Sequence, residues 1–278
     1  MTWAPHALYL SDARRVRAYA EAVRRTVRAG DRVVDLGTGT GILALMAIRA
    51  GASHVTAIER GRVVRLARAI ARENGVNGQV TFVRADSRRV RTPTRADVLI
   101  TETMGNLGVG EGMLEATVDA RRRLLRPGAR IVPAELRIWF QPMSAPRPPS
   151  VPGLRIGAVR ELLRHRPMPM ESGAGRAIGA ARPLLRFRVG RDAFPAEGRA
   201  TFAVRGVLRG FAAWFEARLA PGVSLVSRTG THWRRIFFPV EPIRVRRAEL
   251  TVRFTGDREF HWSVAGGSSH SSWLGELR

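Results

Sequence analysis

The sequence predicts an α/β chain: a doubly wound parallel sheet followed by an antiparallel, barrel-like β domain. Three observations predict it. Short apolar runs alternate with helical stretches between about residues 32 and 125, the order that a parallel sheet with crossover helices requires. A glycine-rich turn follows the first of those runs and opens a helix. After about Arg186 the pattern becomes apolar–polar alternation in short segments, the mark of antiparallel strands.

Taken in order, residues 11–29 read as an amphipathic helix. Ser11 or Asp12 caps its start, Val16, Tyr19, Val23 and Val27 share one face, and Gly30 ends it. Strand signals follow at Arg32–Asp35, His54–Glu59, Val80–Val83 and Asp97–Ile100. Helices are expected at about 42–50, 63–73 and 111–125, the last ended by Arg126-Pro127-Gly128. Beyond Ala129 come extended segments at 131–134 and 136–140, then a stretch rich in proline, glycine and arginine at 142–185. Alternating strands are read at 187–189, 201–204, 235–238 and 249–254. The expected division is a ligand-binding α/β domain at 1–130 and a β domain at 131–278. Within the latter, 142–185 is either a projecting arm or a flexible connection.

The 278 residues suffice for one or two cores. No run approaches the roughly eighteen apolar residues of a membrane span, and Met1–His6 lacks the basic-then-apolar form of a signal peptide. With no cysteine there are no disulfides, thiolate metal sites or cysteine nucleophiles, which suits a cytoplasmic protein. No histidine-rich ligand set is visible and no metal is expected. The formal net charge is +24, and all 47 basic residues are arginines. Their scatter along the chain reads as compositional bias, and a nucleic-acid or acidic partner is the functional alternative.

Two motifs carry chemistry. Val34-Asp35-Leu36-Gly37-Thr38-Gly39-Thr40-Gly41 joins the first strand to a helix N-terminus, where glycines let the backbone approach an anionic or polar ligand closely. Glu59 stands at the end of the next strand, where an acid can take both hydroxyls of a ribose. The Gly-x-Gly-x-Gly spacing differs from the dinucleotide fingerprint and resembles the loop of class I S-adenosylmethionine-dependent methyltransferases, in which Asp86 and Ser87 lie where adenine is contacted. The second motif is Glu102-Thr-Met-Gly-Asn-Leu-Gly-Val-Gly-Glu111, two acids nine residues apart after a buried strand. Two carboxylates on one loop repel unless a cation lies between them, and a planar guanidinium with five fixed donors suits that place.

With these residues in hand the chain resembles the protein arginine N-methyltransferase family, a branch with a Rossmann-like cofactor domain. His6 to Tyr19 resembles the family's pre-strand helix motif, Val33 to Glu59 its cofactor core, Glu102 to Glu111 its double-glutamate loop, and Thr231-His232-Trp233 its Thr-His-Trp loop. The resemblance implies an S-adenosyl-L-methionine cofactor held by His6, Arg15 (carboxylate), Asp35 (amino group), Gly37, Gly39, Gly41, Glu59 (ribose), Asp86 and Ser87. It implies that Glu102 and Glu111 clamp the guanidinium, with His232 paired to Asp12 in support. Tyr9, Met104, Met113 and Trp233 would line the substrate site. It implies methyl transfer to a guanidino nitrogen of free arginine, a guanidino metabolite, or arginine in a peptide or protein, by a homodimer. Where the family carries Trp and other aromatics in the double-glutamate loop, Thr103, Asn106, Gly108 and Gly110 stand here, and a roomier, more flexible loop is expected. Nucleic-acid N-methylation is the alternative, favoured by charge. It is disfavoured because no proline or aromatic follows the fourth strand to hold a flipped base.

Overall fold

The computed structural model describes residues 4–144, 152–164, 166–170, 175–267 and 269–273. Its N-terminal region forms α2 (Ala13–Thr26), the helix expected at 11–29, preceded by a short α1 (Ala4–Ser11) for which no helix was expected. They break at Asp12, whose carboxylate accepts the Arg15 N–H at 2.9 Å and so caps α2. Tyr19, Ala22 and Val23 form the buried face of α2.

Alternation then gives β1 (Arg32–Leu36), α3 (Ile42–Arg49), β2 (His54–Glu59), α4 (Val64–Glu73), β3 (Val80–Arg84), β4 (Ala96–Thr101), α5 (Met113–Arg123) and β5 (Leu125–Val132). The strands make one parallel sheet in the order β3-β2-β1-β4-β5. Strands buried on both faces read as continuous apolar runs, as Val98, Leu99 and Ile100 do at 0% exposure. The order reverses between β1 and β4, whose last residues pair as Leu36 and Thr101. That switch point opens a crevice at the carboxyl edge, and both motifs begin there. Arg126-Pro127-Gly128 does not end the last helix. α5 already stops at Arg123, and the three residues bulge out within β5, where the register jumps from Ala96 opposite Leu125 to Val98 opposite Arg130.

The rest is antiparallel. β6 (Glu135–Met143), α6 (Gly157–Arg164), β7 (Met168–Pro169), β8 (Arg182–Arg188), β9 (Ala196–Ala203), β10 (Val207–Ala220), β11 (Val223–Val226), β12 (Ile236–Arg244), β13 (Arg247–Gly256), β14 (Glu259–Val264) and β15 (Ser269–Trp273) follow. One sheet runs β7-β12-β10-β6-β8 with β11 beside β10, and the other runs β15-β14-β13-β9. Aromatic rings fill the space between them. Phe238 meets Phe260 and Trp262 edge-on, and the Trp262 indole N–H donates to the Pro239 carbonyl at 2.7 Å. Of the 142–185 stretch, residues 145–151, 165 and 171–174 lie outside the described residues, so the arm expected there is described only in part. β7 within it pairs with β12. Among the described residues no helix is long and apolar enough to cross a membrane.

Candidate active site

The carboxyl ends of β1, β2 and β4 deliver three acids to one edge of the sheet. Asp35, within β1, is fully buried beneath the glycine loop. Its Oδ2 accepts from the Thr38 hydroxyl at 2.5 Å, while its Oδ1 is buried with no hydrogen-bond partner among the described residues. Burial pushes its carboxyl up to about 7, against the Thr38 bond and a backbone N–H from Ala44. Through Thr38, Asp35 fixes the loop from below.

The loop is built for close approach. Gly37 has a φ of +75°, and a Cβ there would come within 2.2 Å of the Thr103 methyl. Thr103 thus rests directly against the loop at the position where the family carries Trp. Gly39 and Gly41 are also left-handed, and no heavy atom lies closer than 4.0 Å to a Cβ added at Gly39. That leaves an open cradle at a helix N-terminus. Glu59 reaches under it, accepting from Gly39 N at 3.1 Å and Gly61 N at 2.6 Å. Asp86 caps the short 3-10 turn Ser87–Arg89 and is held by Arg88 at 2.6 Å, which keeps it well below the usual carboxylate range. Ser87 offers its carbonyl to Arg123. His6 of α1 is half-buried near enough to Glu59 for that charge to oppose the lowering effect of burial on the ring.

Glu102 begins the second motif one residue beyond β4. Its Oε2 accepts from Arg15 Nε at 2.7 Å with Nη2 at 2.6 Å, and the two side chains are 13% and 10% exposed. Arg15 Nη1 donates to the Tyr9 carbonyl. Arg15 therefore lies against Glu102 first, where the resemblance implies a ligand carboxylate. Burial pushes the Glu102 carboxyl up to about 7; Arg15 opposes this, and the Glu111 charge adds to it. The Glu111 charge reaches Glu102 from the exposed side.

The β domain closes the site. His232 donates its backbone N–H to Asp12 Oδ2 at 2.9 Å, and its Nδ1 lies 2.8 Å from the same oxygen. With Nδ1–H donating, Nε2 carries the lone pair. Burial holds the ring below its ordinary value despite Asp12, so it is neutral at pH 7. Tyr9 packs against His232 with centroids 4.7 Å apart. Trp233 donates its indole N–H to the Met104 carbonyl at 2.7 Å, and Asn106 accepts the Arg234 N–H at 2.8 Å.

These contacts correct two expectations. Met104, Met113 and Trp233 are 3%, 0% and 6% exposed, so they form the wall behind the site and offer a substrate little surface. The double-glutamate loop is not slack either. Leu107 and Val109 are buried, Gly105 and Gly108 abut Val109 O and Leu136, and Gly110 and Gly112 donate to Asp257. Glycine here permits close backbone packing instead of freedom. Sequence reasoning missed Thr103 against Gly37, Tyr19 (whose hydroxyl donates to the Thr101 carbonyl at 2.9 Å) and Asp257. Gly256-Asp257 was visible as a turn signal, but nothing local indicates what that turn faces. Trp233→Phe strands the Met104 carbonyl and is expected to cost about 1–3 kcal/mol of unfolding free energy, measured by urea titration. An unchanged midpoint contradicts that bond.

The family model described as ribosomal protein L11 methyltransferase (PrmA) matches residues 18–109, the glycine loop and its flanking strands. An arginine N(omega)-methyltransferase of Streptomyces achromogenes subsp. streptozoticus is 26% identical over 281 residues, covering 94% of this chain and 78% of that protein. A probable histone-arginine methyltransferase CARM1 of Oryza sativa subsp. indica is 41% identical over 138 residues, 49% of this chain. The matched stretch spans only 26% of that longer relative. In fold, the chain superposes on the Trypanosoma brucei PRMT1 enzyme–prozyme heterotetrameric complex with AdoHcy with a TM-score of 0.84 at 20% identity, covering 98% of this chain and 97% of that one. Sequence relatives and fold agree: the chain is similar over 94% of its length to an arginine N(omega)-methyltransferase and shares its fold with a PRMT1 structure.

Proposed function

We propose that the protein transfers a methyl group from S-adenosylmethionine to a guanidino nitrogen of arginine. The observation that carries this reading is Glu102, a buried carboxylate at the switch point that already grips one guanidinium, Arg15, while feeling the charge of Glu111. The open cradle at Gly39, the ribose-suited Glu59 beneath it and the Thr103–Gly37 contact fit the cofactor beside that carboxylate. When bound, the cofactor supplies a sulfonium-activated methyl.

The remaining work falls to the chain's residues. Glu102 and Glu111 hold the substrate guanidinium in plane through charge-assisted hydrogen bonds, each contributing roughly 1.5–3 kcal/mol. Glu102 Oε2 is taken by Arg15, so Oε1, which has no hydrogen-bond partner among the described residues, serves the substrate. With the cofactor bound, methylation of the guanidinium would require one of its protons to leave. A carboxyl near 7 is matched to take it at neutral pH. Asp12 and His232 fix the α1–α2 corner against the loop, and Asp35 shapes the glycine turn.

The acceptor is proposed to be free arginine, a small guanidino compound, or one arginine beside an acidic segment. A surface of +24 repels polybasic tails, and the longest-spanning relative above is named for arginine alone. Radiolabelled turnover of L-arginine, an acidic arginine peptide, a polybasic peptide and RNA, run side by side, tests this. Preference for the polybasic peptide overturns the substrate class, and preference for RNA overturns the reading itself. A cytoplasmic homodimer, with 142–185 contributing to the contact, is proposed on family grounds, and sedimentation reads the oligomeric state directly.

Proton linkage gives a further expected result. Both Glu102 and Asp35, near 7 in the fold, hold protons that the unfolded chain loses below pH 5, so their stabilising contribution disappears as pH rises through 7. A bound guanidinium reverses the trend at Glu102 by favouring its charged form. Affinity for arginine is therefore expected to rise about fivefold between pH 6 and 7, about twofold more by pH 8, then level off. Calorimetry across that range reads it, and a flat profile contradicts the raised Glu102.

A further inference from the structure

The β13–β14 turn reaches into the double-glutamate loop. Asp257 Oδ1 accepts the Gly110 N–H and Oδ2 the Gly112 N–H, each at 2.7 Å, and Arg258 Nε donates to the Gly110 carbonyl at 2.8 Å. The residue between those two amides is Glu111. Gly110 and Gly112 have φ values of +107° and +80°, conformations that L side chains rarely adopt. Backbone amides on either side of one residue, turned toward a single carboxylate, form a fixed anion-holding concavity. The backbone that carries Glu111 is thus clamped on both sides by a turn nearly 150 residues away, although the Glu111 side chain itself is exposed.

We propose that Asp257 and Arg258 are positioning residues for Glu111, fixing its carboxylate where it meets the acceptor guanidinium opposite Glu102. The turn belongs to the four-stranded sheet, whereas the glycine loop that holds the cofactor belongs to the parallel sheet. The β domain therefore sets the geometry of methyl acceptance through the double-glutamate loop. This assignment rests on the guanidino-transfer reading above. It requires that alignment at the second glutamate limits the chemical step, because misplacement near 1 Å can cost about a hundredfold in rate.

The test uses the full chain and three variants, Asp257→Asn, Asp257→Glu and Arg258→Gln. L-Arginine and an arginine peptide serve as acceptors, and S-adenosylhomocysteine serves as the binding probe. Asp257→Asn keeps the shape but turns an amide N–H toward a loop N–H. Its kcat is expected to fall about thirtyfold, with cofactor-analogue Kd within about twofold of wild type. Arg258→Gln is expected to lose about fivefold, and Asp257→Glu to recover part of the loss of Asp257→Asn. Hydrogen exchange gives a readout free of activity: the Gly110 and Gly112 amides exchange slowly in the wild type and at least about tenfold faster in Asp257→Asn. Fast exchange at both amides in the wild type overturns the clamp. Unchanged kcat in Asp257→Asn, or parallel losses of kcat and cofactor-analogue binding, overturns the positioning role. A wild-type protein that binds S-adenosylhomocysteine but methylates neither acceptor sinks the underlying reading, while the exchange data still judge the clamp.

Discussion

Glu111→Gln is expected to abolish methyl transfer while leaving the Kd for S-adenosylhomocysteine within about twofold of wild type. The substitution keeps size and shape but removes the charge that complements a guanidinium. Loss of a charge-assisted bond costs up to about 3 kcal/mol, and the misalignment that follows adds as much as a hundredfold in rate. Together these exceed about a thousandfold. Glu111 is exposed, so the melting temperature is expected to stay almost unchanged. Steady-state kinetics beside equilibrium binding separates the two effects. Cofactor affinity falling in step with activity would give Glu111 a different role.

Arg15→Met is expected to act through Glu102. Arg15 is the cation that holds the Glu102 carboxyl down against burial, and without it that carboxyl moves above 7. At pH 7 most molecules would then carry a neutral Glu102 unable to grip a cation. Activity is expected to fall at least about tenfold at pH 7 and to recover in part near pH 9, because the acid limb of the rate profile moves upward. Stability moves in the opposite sense. Stripping one partner from a buried pair costs about 3–5 kcal/mol where Glu102 is ionised, and less at pH 6, where it takes a proton instead. Chemical unfolding at pH 6 and pH 8 reads that difference. An equal loss at both values, with no movement of the rate profile, contradicts the coupling.

Much of the parallel half was legible because its signals are local. Strand 54–59 and helices near 42–49 and 64–73 follow from apolar runs, caps and turns whose causes lie within a few residues. The β half was harder. β10, the fourteen-residue strand at the centre of its sheet, shows a long block of buried positions, Gly210 to Phe215, instead of alternation. A strand covered on both faces carries no period-two signal. Asp12 was legible as the cap of α2 from its place before the amphipathic run, whereas its bond to His232, 220 residues away, came only from the family resemblance.

The site followed the same division. Glu102, Glu111 and the glycine loop could be read because spacing within one segment carried them. The direction of Arg15 could not, since its choice of Glu102 depends on where α2 crosses the end of β4. The loop's rigidity was also out of reach. Three glycines in eight residues predict freedom when read alone, and they give close packing once Leu136, Val109 and Asp257 surround them. Asp257 could be read as a turn residue and nothing more.

The central claim is that two carboxylates of one loop hold a guanidinium in line with a sulfonium methyl. A crystal structure of the complex with S-adenosylhomocysteine and the accepted arginine compound tests it most directly. The account predicts a guanidinium bonded to both Glu102 and Glu111, with one terminal nitrogen facing the cofactor sulfur across the Thr103–Gly37 contact. A guanidinium bound elsewhere, or a glutamate pair turned away from the sulfur, would contradict it.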